Sequence, residues 1–296
     1  MSKDTHKLML DHSQAKVKLY GDYLAKYLRV IVQDGQTTNI HFYDLFCGEG
    51  IYEDGAKGSP IIALDKIRGC YATMENMPKV TITFNDISPE VISKLRKSLG
   101  STNIPEQCEV HITNEDYLDI RPNVISEINK FLKEKAVIFL DPKGYKEISV
   151  LHIKEFLSNK KTEVLVFLPI RDMYRFAGMD KEKINASHEP LYRLTSEIFP
   201  NGVPEYTSQI DFIAKIKDSL KNILPGYYVD TFTLEREPGQ FFCLFFFTSN
   251  IRGLEKMLET KWEIDSEQGR IWRYERTSSM FSGSELLNFP ERLKIL

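Results

Sequence analysis

The sequence predicts an α/β fold with a mostly parallel sheet covered by helices on both faces, and three observations carry that expectation. Apolar runs of strand length alternate with segments whose apolar residues recur every three or four positions. The runs themselves, such as AVIFLDP at 136–142 and EVLVFLPI at 163–170, are almost continuously apolar, whereas a strand wetted on one face would alternate apolar with polar. Four successive strands also end in glycine or acids, as strands do when their carboxyl ends open onto a ligand crevice.

Taken in order, Val17, Tyr20, Leu24, Leu28 and Ile31 share one face of an amphipathic helix from Asp11 that Asp34-Gly35 ends. Ile40 to Phe46 is a strand that stops at Cys47-Gly48-Glu49-Gly50. Ser59 as N-cap and Pro60 in the first turn open a helix to about Met74. KVTITFNDIS is the second strand, and Pro89 with VISKLRKSL the next helix. CEVHITNEDY is the third strand, with a helix over Val124 to Lys133, and AVIFLDP is the fourth. Lys154 to Leu157 belongs to a helix, and EVLVFLPI is the fifth strand. Residues 171–224 break the rhythm and read as a helical insertion at the rim of the sheet, contacting substrate or partner. YYVDTFTL and FFCLFFFTSN form a closing antiparallel hairpin with Pro238-Gly239 at its turn, and IRGLEKMLETKW is a helix.

The 296 residues are read as one domain, 1–296, with a helical extension over 1–35. A net charge of −3 does not announce a nucleic-acid binder, although a local basic face is compatible with it. The longest apolar stretch, Phe241 to Phe247, is too short to cross a bilayer and the first ten residues lack a signal-peptide core, so the expected location is the cytoplasm, with no membrane partner. The four cysteines show no CxxC spacing, which suggests neither a zinc site nor a disulfide framework, and no metal is expected.

The strand ends carry the functional signal. The first supplies Asp44, Cys47, Gly48, Glu49 and Gly50, the second Asp86, the third Asn114, Glu115 and Asp116, and the fourth Asp141 to Tyr145. A carboxylate closing the second strand can accept both hydroxyls of a ribose. A dinucleotide fold wants G-x-G-x-x-G, but here the third glycine is missing and a glutamate inside the turn would repel a pyrophosphate; no G-K-[ST] follows either. S-adenosylmethionine carries no phosphate and has a sulfonium and an ammonium group, so it suits Asp44 and Glu49.

These residues resemble a known family. DLFCGEG, the GSP at 58–60, FLDPKGY at 139–145, FFTSNIRGLEKMLETKW and the N-terminal DHSQAK are similar to the three-Cys-motif partner (TcmP) proteins. The resemblance implies a Rossmann-like class I methyltransferase fold: a mostly parallel seven-stranded sheet with a C-terminal antiparallel hairpin and a helical insertion. It implies S-adenosylmethionine as cofactor, with Phe46, Ile87 and Tyr117 joining Asp44, Gly48, Gly50, Asp86 and Asp116 around it. It also implies a protein partner encoded nearby, of the radical-chemistry or defence kind. The DPKGY run resembles the [DNS]-P-P-[YF] of amino-methylating enzymes, which makes Asp141, Pro142 and Tyr145 the catalytic candidates and an amine of a nucleic-acid base the acceptor. Lys143 stands where that pattern has proline, so base stacking falls to Tyr145, and a base in a duplex must be flipped to enter.

Structural roles compete at each position. Asp86 binds ribose or caps the helix before Pro89; Asp116 meets adenine or caps a turn; Asp141 orients an acceptor or shapes the turn before Pro142. Cys47 reads as a packed residue, His12 and Lys16 as an exposed polar helix face or as groups that reach the ligand, and Arg171, Tyr174 and Arg175 as a phosphate-reading rim or a solvated helix start. Two functions stand: an active methyltransferase, or a non-catalytic S-adenosylmethionine-binding module that senses or scaffolds.

Overall fold

A computed structural model describes residues 9, 11–100, 102–178, 185–186, 188–237, 240–265 and 271–273. The chain runs α1 (Asp11–Asp34), β1 (Asn39–Asp44), α2 (Ser59–Thr73), β2 (Lys79–Asn85), α3 (Pro89–Gly100), β3 (Cys108–Thr113), α4 (Tyr117–Ile128), β4 (Glu134–Leu140), α5 (Val150–Leu157), β5 (Thr162–Pro169), α6 (Ile170–Phe176), α7 (Glu189–Ile198), α8 (Gln209–Ile223), β6 (Tyr228–Glu237), β7 (Gln240–Thr248), α9 (Ile251–Ile264) and β8 (Ile271–Arg273). The sheet order is β3-β2-β1-β4-β5-β7-β6-β8. β7 runs antiparallel to both β5 and β6, and the other pairings are parallel. The expected seven-stranded, mostly parallel sheet is present, and β8 adds a short eighth strand at its edge. The Pro238-Gly239 turn lies outside the described residues.

The apolar strands are divided with a period of two between the two faces, as side chains on a pleated strand must be. On β4, Ala136, Ile138 and Leu140 enter the core under α4, α5, α7 and α8, while Val137 and Phe139 enter the core under α1, α2, α3 and α9. β5 and β7 are divided the same way, so burial on both faces leaves no room for the polar half of an alternating pattern. Leu191, Leu194 and Ile198 of α7 and Phe212, Ile213, Ile216 and Leu220 of α8 are buried in the first of these cores.

Helix α1 crosses the other face on an aromatic ladder. Tyr20 stacks on Phe139 at 4.3 Å, Tyr23 meets Phe246 edge-on at 5.0 Å, and Tyr27 meets Phe42 at 6.2 Å. This ladder fixes the helix against β1, β4 and β7 and carries its first turns to the carboxyl ends of the strands.

Two boundaries differ from expectation. Helix α4 begins at Tyr117 rather than Val124, with Asp116 as its N-cap; Pro122, which suggests a breaker, sits inside its second turn. Gly58, not Ser59, caps α2. The Gly58 amide donates to the Gly50 carbonyl at 2.7 Å, and that bond fixes the extended backbone one residue early, leaving Ser59 inside the helix and buried.

Candidate donor and acceptor site

The glycine turn after β1 is built from left-handed backbone. Gly48 and Gly50 have φ of +67° and +81°, a region that L side chains enter only at a cost. A Cβ on Gly48 would meet nothing within 4 Å, so the turn is open there, whereas one on Gly50 would lie 2.8 Å from Leu95 Cδ1. Gly48 therefore leaves backbone accessible to a ligand, and Gly50 seats the turn on α3.

Asp44, the last residue of β1, has no exposed surface, and neither carboxylate oxygen has a hydrogen-bond partner. Burial pushes its pKa up to about 7; the Ser59 hydroxyl, the Phe46 amide and Lys16 oppose the rise, and the charge of Asp141 adds to it. The Ser59 hydroxyl and the Phe46 amide stand beside it, short of hydrogen-bond geometry. Glu49, the other acid assigned to the cation, instead pairs with Lys94 of α3 at 3.0 Å.

The ends of β1, β2 and β3 are joined by Asn85, which the sequence shows only as one polar residue in a strand's tail. Its buried amide donates to the Glu115 carbonyl at 3.0 Å and the Leu45 carbonyl at 3.4 Å, and accepts from the Thr113 hydroxyl at 2.9 Å and the Glu115 amide at 3.0 Å. Beside it, Asp86 accepts from the Ser88 amide through Oδ1 at 2.9 Å, and its own carbonyl is held by Asn114 at 2.8 Å. Asp116 accepts from the Leu118 amide at 2.8 Å, so one of its oxygens caps α4. Phe46 stacks on the buried Tyr117 at 5.1 Å. Ile87 and Leu118, at the end of β2 and the start of α4, are exposed apolar side chains on this rim.

The ends of β4 and β5 are differently arranged. Asp141 accepts through Oδ2 from the Lys16 ammonium, which also stands 4.6 Å over the Phe167 ring. Lys16 is thus turned inward and largely buried, which corrects the exposed-face alternative of its reading; the His12 side chain lies outside the described residues. Pro142 is buried and Lys143 exposed. Tyr145 packs partly buried against the core, and its hydroxyl donates to the Pro169 carbonyl at the end of β5, so it anchors this loop to its neighbour strand. Arg193 of α7 donates to the carbonyls of Lys146 at 2.8 Å and Ile148 at 3.1 Å, while Glu197 accepts from the Val150 amide at 2.7 Å.

The Ile51–Lys57 bridge closes a hairpin after the glycine turn, and the Met9 amide ties the chain before α1 to it by donating to Asp54 at 3.0 Å. Tyr52 on this hairpin is raised in pKa by burial and then by the charges of Asp141, Glu49, Asp54 and Asp44, so it feels the same carboxylates. Nothing in the sequence but an aromatic in a glycine-rich loop marks it. Cys47 is buried, its thiol raised by burial, as a packed residue should be.

No protein-family model matches the chain, and no curated protein matches it in sequence, so the resemblance to TcmP proteins stays a resemblance. Several solved structures are similar. A Legionella pneumophila protein is 13% identical with a TM-score of 0.45, over 83% of this chain and 91% of that one. A putative rRNA methylase from Clostridium thermocellum is 12% identical with a TM-score of 0.37, over 81% and 99%. An S-adenosylhomocysteine-bound methyltransferase of Podospora anserina is 11% identical with a TM-score of 0.37, over 82% and 81%. The strand order, with β7 reversed, gives the architecture directly. It is a class I methyltransferase fold. Among the described residues no helix is long and apolar enough to cross a membrane.

Proposed function

We propose that the protein is an S-adenosylmethionine-dependent methyltransferase acting on an amine of a nucleic-acid base. One observation carries the cofactor: a carboxylate with no hydrogen-bond partner, fully buried at the glycine turn of β1. Such a group is costly unless a cation completes it, and its phosphate-free, acid-lined surroundings suit a sulfonium ligand rather than a nucleotide phosphate. Asp44 and the open backbone at Gly48 would hold the methionine part, the remaining Asp86 oxygen the ribose, and Ile87, Leu118 and Asp116 the adenine. The bound cofactor would supply an electrophilic methyl group. Asp141 Oδ1 and the Pro142 carbonyl would orient the acceptor amine, and holding the reactants together supplies most of the rate.

The rim of the acceptor side favours a phosphate-bearing substrate. Lys143 and Lys146 on the loop after β4, and Arg171 and Arg175 on α6, are exposed, and among the described residues none of them has an ion-pair partner. The reading as a non-catalytic module draws on a different fact: Lys16 already holds Asp141, and Pro169 already holds the Tyr145 hydroxyl. Isothermal calorimetry with S-adenosylmethionine, followed by transfer of labelled methyl to RNA, DNA and cell lysate beside an Asp141→Ala control, separates the two. Binding with Asp141-dependent transfer to nucleic acid supports the enzyme, binding without transfer supports the module, and no heat in the wild type removes both.

A further inference from the structure

We propose that Lys16 is a positioning residue shared by the two halves of the site: its ammonium orients Asp141 toward the acceptor and keeps the adjacent Asp44 carboxylate available to a cationic ligand. The identity of ligand and acceptor rests on the function proposed above; the placement of Lys16 does not.

The geometry is that of a fixed group. Tyr20, one turn along α1, is stacked on Phe139, so the helix cannot slide without losing that contact. The Lys16 side chain is 11% exposed, and its head group is held by Asp141 on one side and by the face of Phe167 on another. Phe167 is itself stacked on Phe242 at 5.5 Å, with the rings 4° from parallel. Engaging Oδ2 of Asp141 leaves Oδ1 for an acceptor N–H, in an orientation the ion pair dictates.

Asp44 ends β1 and Asp141 follows directly on the neighbouring strand β4, and the charge of Asp141 disfavours ionisation of Asp44. The groups acting on Asp44 are Ser59 of α2, Asp141, the Phe46 amide and Lys16 of α1, while Asp44 in turn raises the neutral Tyr20, Cys47 and Tyr52 around it. Lys16 is the cation in that set. Removing it leaves two acids facing each other with no countercharge, and Asp44, the more deeply buried, takes up the proton.

The test is carboxyl titration by ¹³C NMR on the full chain, for wild type, Lys16→Met and Lys16→Arg, with S-adenosylmethionine calorimetry across pH. In Lys16→Met the Asp44 midpoint is expected to rise by about one pH unit or more, and binding at pH 7 to weaken about five- to tenfold. Above about pH 9, where Asp44 is ionised in both, the variant should bind at least as tightly as wild type, because a repelling cation is gone. Lys16→Arg should stay near wild type in both measurements. An unchanged Asp44 midpoint in a folded Lys16→Met protein, or equal damage from Lys16→Arg, overturns the proposal; Lys16→Gln is read in place of a Met variant that does not fold. Absence of any heat with wild type would remove the proposed function and still leave the midpoint to decide the role of Lys16.

Discussion

The two halves of the crevice are built on opposite principles. At the ends of β1, β2 and β3 the backbone is bracketed by a buried amide while a carboxylate is left without a hydrogen bond. At the ends of β4 and β5 the side chains themselves are engaged, Asp141 by Lys16 and Tyr145 by the Pro169 carbonyl. The first half has a rigid frame around an unmet charge; in the second, the groups are already met within the chain. A ligand therefore gains most where the protein has left a group unsatisfied, which is on the donor side.

Breaking the frame should have the largest effect. Asn85→Ala leaves the buried Leu45 carbonyl and the partly buried Glu115 amide and carbonyl without this partner and takes the shorter of two bonds from the Thr113 hydroxyl, at about 4 kcal/mol of stability. Urea unfolding should show that loss, and cofactor binding should go with it, because Asp86 and Asp116 flank the bracket. A loss below about 1 kcal/mol would mean that the strand ends do not depend on it.

The unmet charge predicts the opposite sign. The Asp44 pKa is raised from its ordinary 3.8 to about 7, so the folded chain holds a proton that the unfolded chain has released. Stability therefore falls as pH rises from about 4 to about 7 and is level above that. Glu163, also fully buried and raised to about 7 against the hydrogen bonds of Tyr23 and Thr248, adds a slope of the same sign. Asp44→Asn should be more stable than wild type at pH 8 by about 4 kcal/mol, equal to it near pH 4, and unable to bind S-adenosylmethionine. Thermal melts at the two pH values check this; a variant destabilised at pH 8 would show that Asp44 has structural partners after all.

Much of this half is legible in the sequence, and the reasons are local. A strand that ends in D-L-F-C-G-E-G declares its turn because left-handed backbone selects glycine, and the acids at 44, 86, 116 and 141 are found by counting strands. What is not legible depends on contacts far along the chain. Asn85 is one of several polar residues after a strand until its four partners are in place. Lys16 lies 125 residues from Asp141, and helix periodicity alone puts it beside polar neighbours. The start of α4 is hidden by Pro122, because a proline in the second turn looks like a boundary. Tyr145 is found by motif, but its anchoring bond to Pro169 is tertiary.

The glycine turn sharpens the contrast within the donor half. Both Gly50→Ala and Gly48→Ala force a side chain into left-handed backbone, at about 1 kcal/mol each. Gly50→Ala also drives a Cβ against Leu95, bringing its total to about 2 to 3 kcal/mol. Denaturant unfolding should rank Gly50→Ala as the more damaging to stability. Calorimetry should show Gly48→Ala, the milder change for the fold, weakening cofactor binding, because its methyl group points into open space where a ligand would approach. Equal binding in Gly48→Ala and wild type would remove that turn from the cofactor site.

The smallest effect is expected where the acceptor half is tied to itself. Tyr145→Phe removes one hydrogen bond to the Pro169 carbonyl and keeps the ring, so it should cost about 1 kcal/mol. The phenol's pKa is raised first by burial and then by the charge of Asp172, so the hydroxyl stays protonated and remains a donor through neutral pH. The bond therefore contributes no pH dependence across the window where Asp44 titrates, and the difference between Tyr145→Phe and wild type should be the same at pH 5 and pH 8. A difference that changes with pH would couple Tyr145 to the carboxylates and make it a working member of the site; a constant one keeps it as the brace that holds β4's loop to β5.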